Sequence, residues 1–136
     1  MASVFTRIIN GELPGRIVYS DESAVAFLSI APVRPGHTLI VPRLEIDHWI
    51  DLPDETVRAV WSAAAVVGRA IDTVFKPRRV AAMLAGMEVP HAHIHLFPID
   101  TESQMSFALA DHNPDPAMMD DVAERLRAAL AEPRRV

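Results

Sequence analysis

A run between two prolines, Pro90-His91-Ala92-His93-Ile94-His95-Leu96-Phe97-Pro98, alternates histidine with apolar residues. In a β-strand every second side chain faces the same side. The run therefore predicts a strand with three imidazoles on one face and three apolar side chains turned into a core. Three of the six histidines of the chain lie here. Because the imidazole pKa lies near neutral pH, this face is a candidate chemical site.

The remaining pattern predicts an α+β domain. Short apolar segments at 16–20, 24–29, 37–41 and 80–85 predict four more strands, with the histidine run as the fifth. Apolar residues at three- and four-residue steps predict a long helix over 53–75 and a C-terminal helix from Met118 to Leu130. Residues 99–112 show no clear period, and we interpret them as a loop near the site.

We therefore predict one domain over residues 1–136, of which 99–136 form a loop plus the C-terminal helix. Its fold class is α+β, a five-stranded antiparallel sheet with one long central helix and a C-terminal helix packed on one face. The other face of such a sheet needs water or a partner.

Composition excludes several classes of protein. The chain has 136 residues, half of them hydrophobic, a net charge of −5 and no cysteine. No run approaches the roughly 20 apolar residues of a membrane helix, and no basic stripe suits nucleic acid. We expect a cytoplasmic protein that binds neither a membrane nor nucleic acid and needs no cofactor.

The histidine run and several separated segments together resemble the histidine triad (HIT) family, whose signature is His-x-His-x-His with apolar residues between. The other matching segments are Phe5–Tyr19, Pro35–Pro42 and Asp51–Pro53. The resemblance implies a five-stranded antiparallel sheet with two helices, often in a homodimer that joins the sheets. It also implies a nucleotide hydrolase or nucleotidyl transferase acting on phosphoramidates or dinucleoside polyphosphates.

The resemblance further implies roles for single residues. His93 would be the nucleophile and would carry a covalent nucleotidyl intermediate. His91 and His95 would donate hydrogen bonds to phosphate oxygens, with His37 supporting them from the adjacent strand. The implied substrate-binding positions are Val4, Phe5, Ile8, Phe27, Leu28, Ser29, Ile30, Gly86, Met87 and Val89. For the apolar members of this set, ordinary core packing is an equal alternative.

Three positions depart from the family's zinc-binding pattern. Many relatives bind zinc through a Cys-x-x-Cys pair and histidines, where this chain has Ser3, Thr6 and Glu45. Losing three such ligands together predicts no structural metal.

Other departures concern the substrate. Ser29 replaces a ribose-binding acid, which predicts weaker discrimination of ribose from deoxyribose, and an asparagine before the turn is absent. Met87 and Glu88 stand where the family has glutamine and serine or threonine. A carboxyl facing a phosphate would have a raised pKa, so Glu88 is a candidate general acid. The alternative is that Glu88 points outward.

Two other classes remain open at this point. One is a nucleotide-binding module without turnover. The other is a metal-dependent protein using the histidine run, although same-face neighbours on a strand lie about 6.6–7 Å apart and one ion cannot easily take all three.

Overall fold

The computed structural model describes residues 1–132, so the last four residues of the predicted 99–136 segment lie outside the described residues. In chain order the elements are α1 (Val4–Ile9), β1 (Ile17–Ser20), β2 (Ala24–Leu28), β3 (Thr38–Pro42), α2 (Asp54–Phe75), β4 (Arg79–Met83), β5 (Ile94–Ile99) and α3 (Pro116–Ala131). Short 3₁₀ turns lie at Trp49–Asp51, Glu102–Gln104 and Phe107–Leu109.

The five strands form one antiparallel sheet in the order β1-β2-β3-β5-β4. This confirms the predicted fold class. The helix predicted over 53–75 begins at Asp54, with two acids in its first turn, and ends where Lys76 adopts a left-handed conformation. The six-residue α1 was not predicted, because so short a helix carries little periodicity.

The two faces of the sheet are covered differently. Alternate strand residues such as Ala26, Ile40, Ile94 and Leu96 pack with α2 and α3 in the largest core cluster. On the opposite face, α1 covers β2 and β3 through Phe5, while Met105 and Ala110 of the later loop cover β4 and β5. The expectation that this second face is left to water or a partner is therefore wrong over those areas.

The second face is where the histidines lie. Phe97 and Ile99 of β5 belong to the cluster on this face. His95 shares their parity, since alternate residues of a strand face the same way. His93 precedes β5, and its ring contacts Phe5 on the same face. The site thus occupies a trough between α1 and the loop of residues 100–111, which we call loop 100–111.

Gly36 allows the segment that carries His37 to pack closely against the end of α2. Gly36 has a φ of +98°, and a Cβ there would lie 2.6 Å from the Phe75 ring. Any side chain at residue 36 would therefore push the end of α2 away from the segment that carries His37.

Among the described residues, no helix is long and apolar enough to cross a membrane.

Candidate active site

The histidine run is only partly a strand. The ladder with β3 runs from Thr38↔Leu96 to Ile40↔Ile94, so His91 and His93 precede β5. The amide of Ala92 donates instead to the carbonyl of Ile46 (2.7 Å). The predicted strand over the whole run is therefore wrong in its first half. The His91 and His93 rings nevertheless lie on the same side of the sheet as α1, because both contact Phe5.

His93 presents a free nitrogen to the trough. Its Nδ1 lies 2.8 Å from the carbonyl oxygen of His91. A carbonyl only accepts, so Nδ1 carries the proton and Nε2 of the neutral ring carries the lone pair. Within the described part of the chain, no residue hydrogen-bonds to Nε2. Burial is the largest influence on the pKa of His93 and lowers it, which favours the neutral ring at physiological pH.

His95 is oriented by a relay that starts in the backbone. The Val33 amide donates to His37 Nδ1 (2.9 Å), which leaves the proton of neutral His37 on Nε2. That Nε2 lies 2.9 Å from His95 Nδ1 and donates to it. His95 must then carry its own proton on Nε2, as a hydrogen-bond donor available to a ligand.

Burial keeps this pair neutral. It lowers the pKa of His37 to about 4, with a smaller contribution from His93. It lowers the pKa of His95 to about 3, with further contributions from His93 and His37. The predicted support of the triad by His37 thus corresponds to a direct hydrogen bond.

His91 does not have the predicted geometry for a phosphate donor. Its ring is fully buried. Nε2 donates to the Pro42 carbonyl (2.7 Å), and Nδ1 lies 2.7 Å from Ser3 Oγ. With both nitrogens engaged, His91 has no donor left for a phosphate oxygen. Its role is to hold the backbone carbonyl that fixes the tautomer of His93.

The three positions that depart from the zinc pattern meet at His91. Glu45 Oε1 accepts from the Ser3 amide (2.6 Å) and the Thr6 hydroxyl (2.7 Å). Ser3 Oγ accepts from the Thr6 amide and donates to His91 Nδ1, which lies 3.9 Å from Glu45 Oε1. We call Ser3, Thr6, Glu45 and His91 the α1 brace. Hydrogen bonds from Thr6 and Ser3 lower the pKa of the Glu45 carboxyl to about 2.

Among residues 1–132, no group of three or more histidine, cysteine or acidic side chains is placed to hold a metal ion. In the α1 brace, only His91 and Glu45 are of those types.

The predicted nucleoside-binding residues do not all lie on the same face of the sheet. Phe5 and Phe27 pack edge to face (5.4 Å between ring centroids) beside the half-buried Ile8, all facing the trough. Val4 and Ile30 are exposed at its edge. Leu28 is different, because it packs on the opposite face with α2 and α3. The prediction that Leu28 contacts the nucleoside is therefore wrong for its side chain.

Ser29 lies at the end of β2 beside His37. Its amide donates to the His37 carbonyl (3.0 Å), and its Oγ accepts from the Ala31 amide (3.2 Å). The hydroxyl keeps its own proton for a ligand.

The turn before the histidines is open. Gly86 has a φ of +73°, which is the conformational reason for glycine there. Met87 and Glu88 are exposed, while Val89 packs against the Phe5 cluster. Glu88 is close enough that its charge raises the pKa of His93, an influence smaller than burial.

A cleft of about 200 Å³ adjoins His93 between this turn and residues 47–49. Asp47, His48 and Trp49 line one side, and Gly86 and Met87 line the other. Sequence reasoning did not assign residues 47–49 to the site, because their side chains follow no periodic pattern.

Phe107 is a further site residue that was not singled out. Its ring contacts His95 edge to face, with 4.8 Å between centroids. It comes from the segment interpreted as a loop near the site. The signal available in the sequence was an aromatic residue in an otherwise polar segment.

The arrangement combines an unprotonated nitrogen with an adjacent N–H donor. The rings of His93 and His95 are 4.7 Å apart. A phosphorus atom approached by His93 Nε2 would have an oxygen within reach of His95 Nε2–H. Such a site can attack an electrophilic phosphorus and stabilise the charge that develops on its oxygens.

Comparisons with known proteins agree on the family. The HIT domain profile matches residues 10–102. The chain is 35% identical over 100 residues to "Protein hit" of Bacillus subtilis (70% of this chain, 69% of that protein). It is 32% identical over 99 residues to "Adenosine 5'-monophosphoramidase HNT1" of Saccharomyces cerevisiae (71% of this chain, 62% of that protein).

A solved structure described as a zinc-bound histidine triad family protein from Mycobacterium smegmatis superposes with a TM-score of 0.82. It is 28% identical, over 96% of this chain and 94% of that one. With a profile match over most of its length, a shared fold and the complete His-x-His-x-His signature, the chain belongs to the histidine triad (HIT) family.

Proposed function

We propose that the protein is a nucleotidyl hydrolase or transferase that cleaves the bond between a nucleoside monophosphate and its leaving group. One observation carries the proposal. His93 is held as the tautomer whose Nε2 lone pair faces the trough, because Nδ1–H donates to the His91 carbonyl. The similarity to the yeast protein named as an adenosine 5'-monophosphoramidase supports phosphoramidates as substrates.

In the first step, the His93 Nε2 lone pair forms a bond to phosphorus. The bond from phosphorus to the leaving atom breaks, and that atom keeps the electron pair and takes up a proton. His95 Nε2–H donates to a phosphate oxygen throughout, because His37 fixes its other nitrogen as an acceptor. The product is a nucleotidyl-His93 intermediate.

In the second step, a water oxygen bonds to phosphorus and the bond to His93 Nε2 breaks. The electron pair returns to Nε2, the water loses a proton to solvent, and the nucleoside monophosphate departs. If another nucleophile replaces water, the same step is a nucleotidyl transfer.

We assign the nucleoside to the α1 side of the trough. Phe5, Ile8 and Phe27 offer apolar contact for the base, and Val4 and Ile30 border it. The Ser29 hydroxyl is the candidate partner for the sugar. Because it is uncharged, turnover of ribo- and deoxyribonucleotide substrates should be comparable.

Glu88 is the candidate proton donor to the leaving atom. Its charge acts on His93, and it is exposed on the turn whose Gly86 and Met87 line the cleft beside His93. Glu88→Gln should lower turnover and alter its pH dependence. Unchanged turnover across pH would exclude this role.

Mass spectrometry tests the proposal as a whole. After mixing with an adenosine 5'-phosphoramidate, a nucleotidyl adduct should appear on the peptide containing His93, and monophosphate should be released. His93→Ala should give neither, whereas His112→Ala, at an exposed histidine, should match the parent. Activity that disappears with a chelator would favour the metal-dependent alternative. Nucleotide binding without any release would favour the binding module.

We also propose that the protein forms a homodimer. β4 is an edge strand of the sheet, with backbone groups available for pairing with a second copy. Light scattering should give twice the chain mass, and a monomer at micromolar concentration would refute this.

A further inference from the structure

Loop 100–111 is anchored by hydrogen bonds at both of its ends. At its start, the Gln104 side chain accepts from the Asp100 amide (2.7 Å), and Thr101 and Gln104 form a reciprocal capping box. At its end, the Asp111 amide donates to the Pro32 carbonyl (2.9 Å). The ring of Phe107 therefore stands on an anchored segment.

The interior of the loop is tied down as well. Met105 and Ala110 pack against the buried cluster that contains Phe97, on the face of the sheet that carries the histidines. Ser106 caps the short 3₁₀ turn by accepting from the Ala108 amide (3.2 Å). Residues that flank the turn on both sides are thus packed on the sheet.

Phe107 ends a row of four rings that crosses the trough. Phe5 meets His93 at 4.9 Å, His93 meets His95 at 4.7 Å, and His95 meets Phe107 at 4.8 Å between centroids. The two end rings differ in exposure. Phe5 is 7% exposed and Phe107 is 41% exposed. Phe107 therefore retains much of its ring for contact with a ligand that reaches His95.

We propose that Phe107 is a specificity-determining residue that packs against the leaving group, favouring substrates whose leaving group carries an apolar or aromatic moiety. This inference rests on the proposed function. The α1 side already supplies the apolar contacts assigned to the nucleoside, and Phe107 stands on the opposite side of the two reacting histidines. The ligand part that reaches it is the one attached to the other side of the phosphorus.

The distances suit such a contact. In an in-line displacement the leaving atom lies opposite His93 Nε2, so it points out of the trough floor. Phe107 lies two ring spacings from His93, within reach of a side group a few bonds beyond the leaving atom. The edge-to-face contact with His95 restrains the Phe107 ring, so less side-chain freedom is lost when a ligand packs on it.

Two substrates that differ only in the leaving group test the inference. One is the unsubstituted adenosine 5'-phosphoramidate, which loses ammonia, and the other carries an arylalkylamine. Phe107→Ala should lower kcat/KM about five- to tenfold for the arylalkyl substrate and leave that for the small substrate nearly unchanged. Leu109→Ala, at an exposed apolar residue of the same 3₁₀ turn, should leave both unchanged.

The outcomes separate this inference from the proposed function. If the parent turns over neither substrate, the proposed function fails. If the parent turns over both and Phe107→Ala lowers both equally, Phe107 acts on the common chemistry or the nucleoside, and the inference is wrong. It is also wrong if neither rate changes, or if Leu109→Ala reproduces the selective loss.

Discussion

The two ends of the histidine triad are held by different kinds of contact. His91, at the α1 end, is fully buried and hydrogen-bonded at both nitrogens, within a network that includes the ionised Glu45. His95, at the other end, has one nitrogen bonded to His37 and a ring edge against the half-exposed Phe107. Only the second end has a donor left for a ligand. Under the proposed function, the His91 end would position the nucleophile, while His95 would donate to the phosphate.

The largest effect in testing this difference between the two ends is expected from His91→Ala. It removes a fully buried ring and leaves the Pro42 carbonyl without its donor. The free energy of unfolding should fall by about 2–4 kcal/mol, measured by urea denaturation. Turnover should fall too. The backbone carbonyl of residue 91 orients His93 by accepting from its Nδ1–H, and it would no longer be held in place by the imidazole ring.

His112→Ala is the matched control, since His112 is exposed. Its unfolding free energy should stay within about 0.5 kcal/mol of the parent. A His91→Ala protein as stable as this control would show that the α1 end does not hold the site.

Acid should weaken both ends, because burial lowers the pKa of His91 at the α1 end as well as those of His37 and His95 at the loop end. In the unfolded chain His37 and His95 take up protons near pH 6.5, whereas in the fold their pKa values are about 4 and about 3. The unfolded state therefore binds more protons below pH 6.5, and the free energy of unfolding should decline as pH falls from 6.5 toward 3. Glu45, with a pKa of about 2, adds a loss only below its ordinary pKa near 4.5.

Denaturation at a series of pH values checks this decline. A free energy of unfolding that is flat between pH 7 and pH 5 would contradict it. His112→Ala should follow the parent curve, because the exposed ring is not part of the buried set.

The smallest effect is expected at the carboxylate of the α1 brace. Glu45→Ala removes the acceptor of the Ser3 amide and the Thr6 hydroxyl, so amides of α1 should exchange faster with deuterium. Glu45→Gln keeps an acceptor oxygen and should lie between that variant and the parent. Glu124→Ala, at an exposed acid on α3, should not change exchange in α1. Equal exchange in Glu45→Ala and the parent would show that the brace does not hold this helix.

Local pattern predicted the sheet and the long helix, because alternation and three- to four-residue spacing are properties of neighbouring residues. It failed where distant chain segments decide the outcome. The strand begins only at Ile94, since the amide of Ala92 bonds to Ile46, beyond β3. Leu28 faces away from the trough because it alternates with Phe27 within β2.

The tautomers of the site histidines could not be predicted from the sequence for the same reason. The partner of His95 lies 58 residues away in the chain, and that of His91 lies 88 residues away. The family resemblance pointed to His93 as the candidate, but only the His91 carbonyl shows which of its nitrogens is free.

The α1 brace has a consequence for what holds this corner of the fold. Its nitrogen and oxygen atoms lie 2.6–3.9 Å apart around His91. A tetrahedral zinc site, with ligands at about 2.0–2.3 Å, has edges of roughly 3.3–3.8 Å. The same corner of the fold is thus nearly the right size for an ion, yet here it is closed by protons shared among hydroxyls, an amide and a carboxylate. The hold on the backbone that presents His93 therefore depends on which of these groups are protonated, and so on pH.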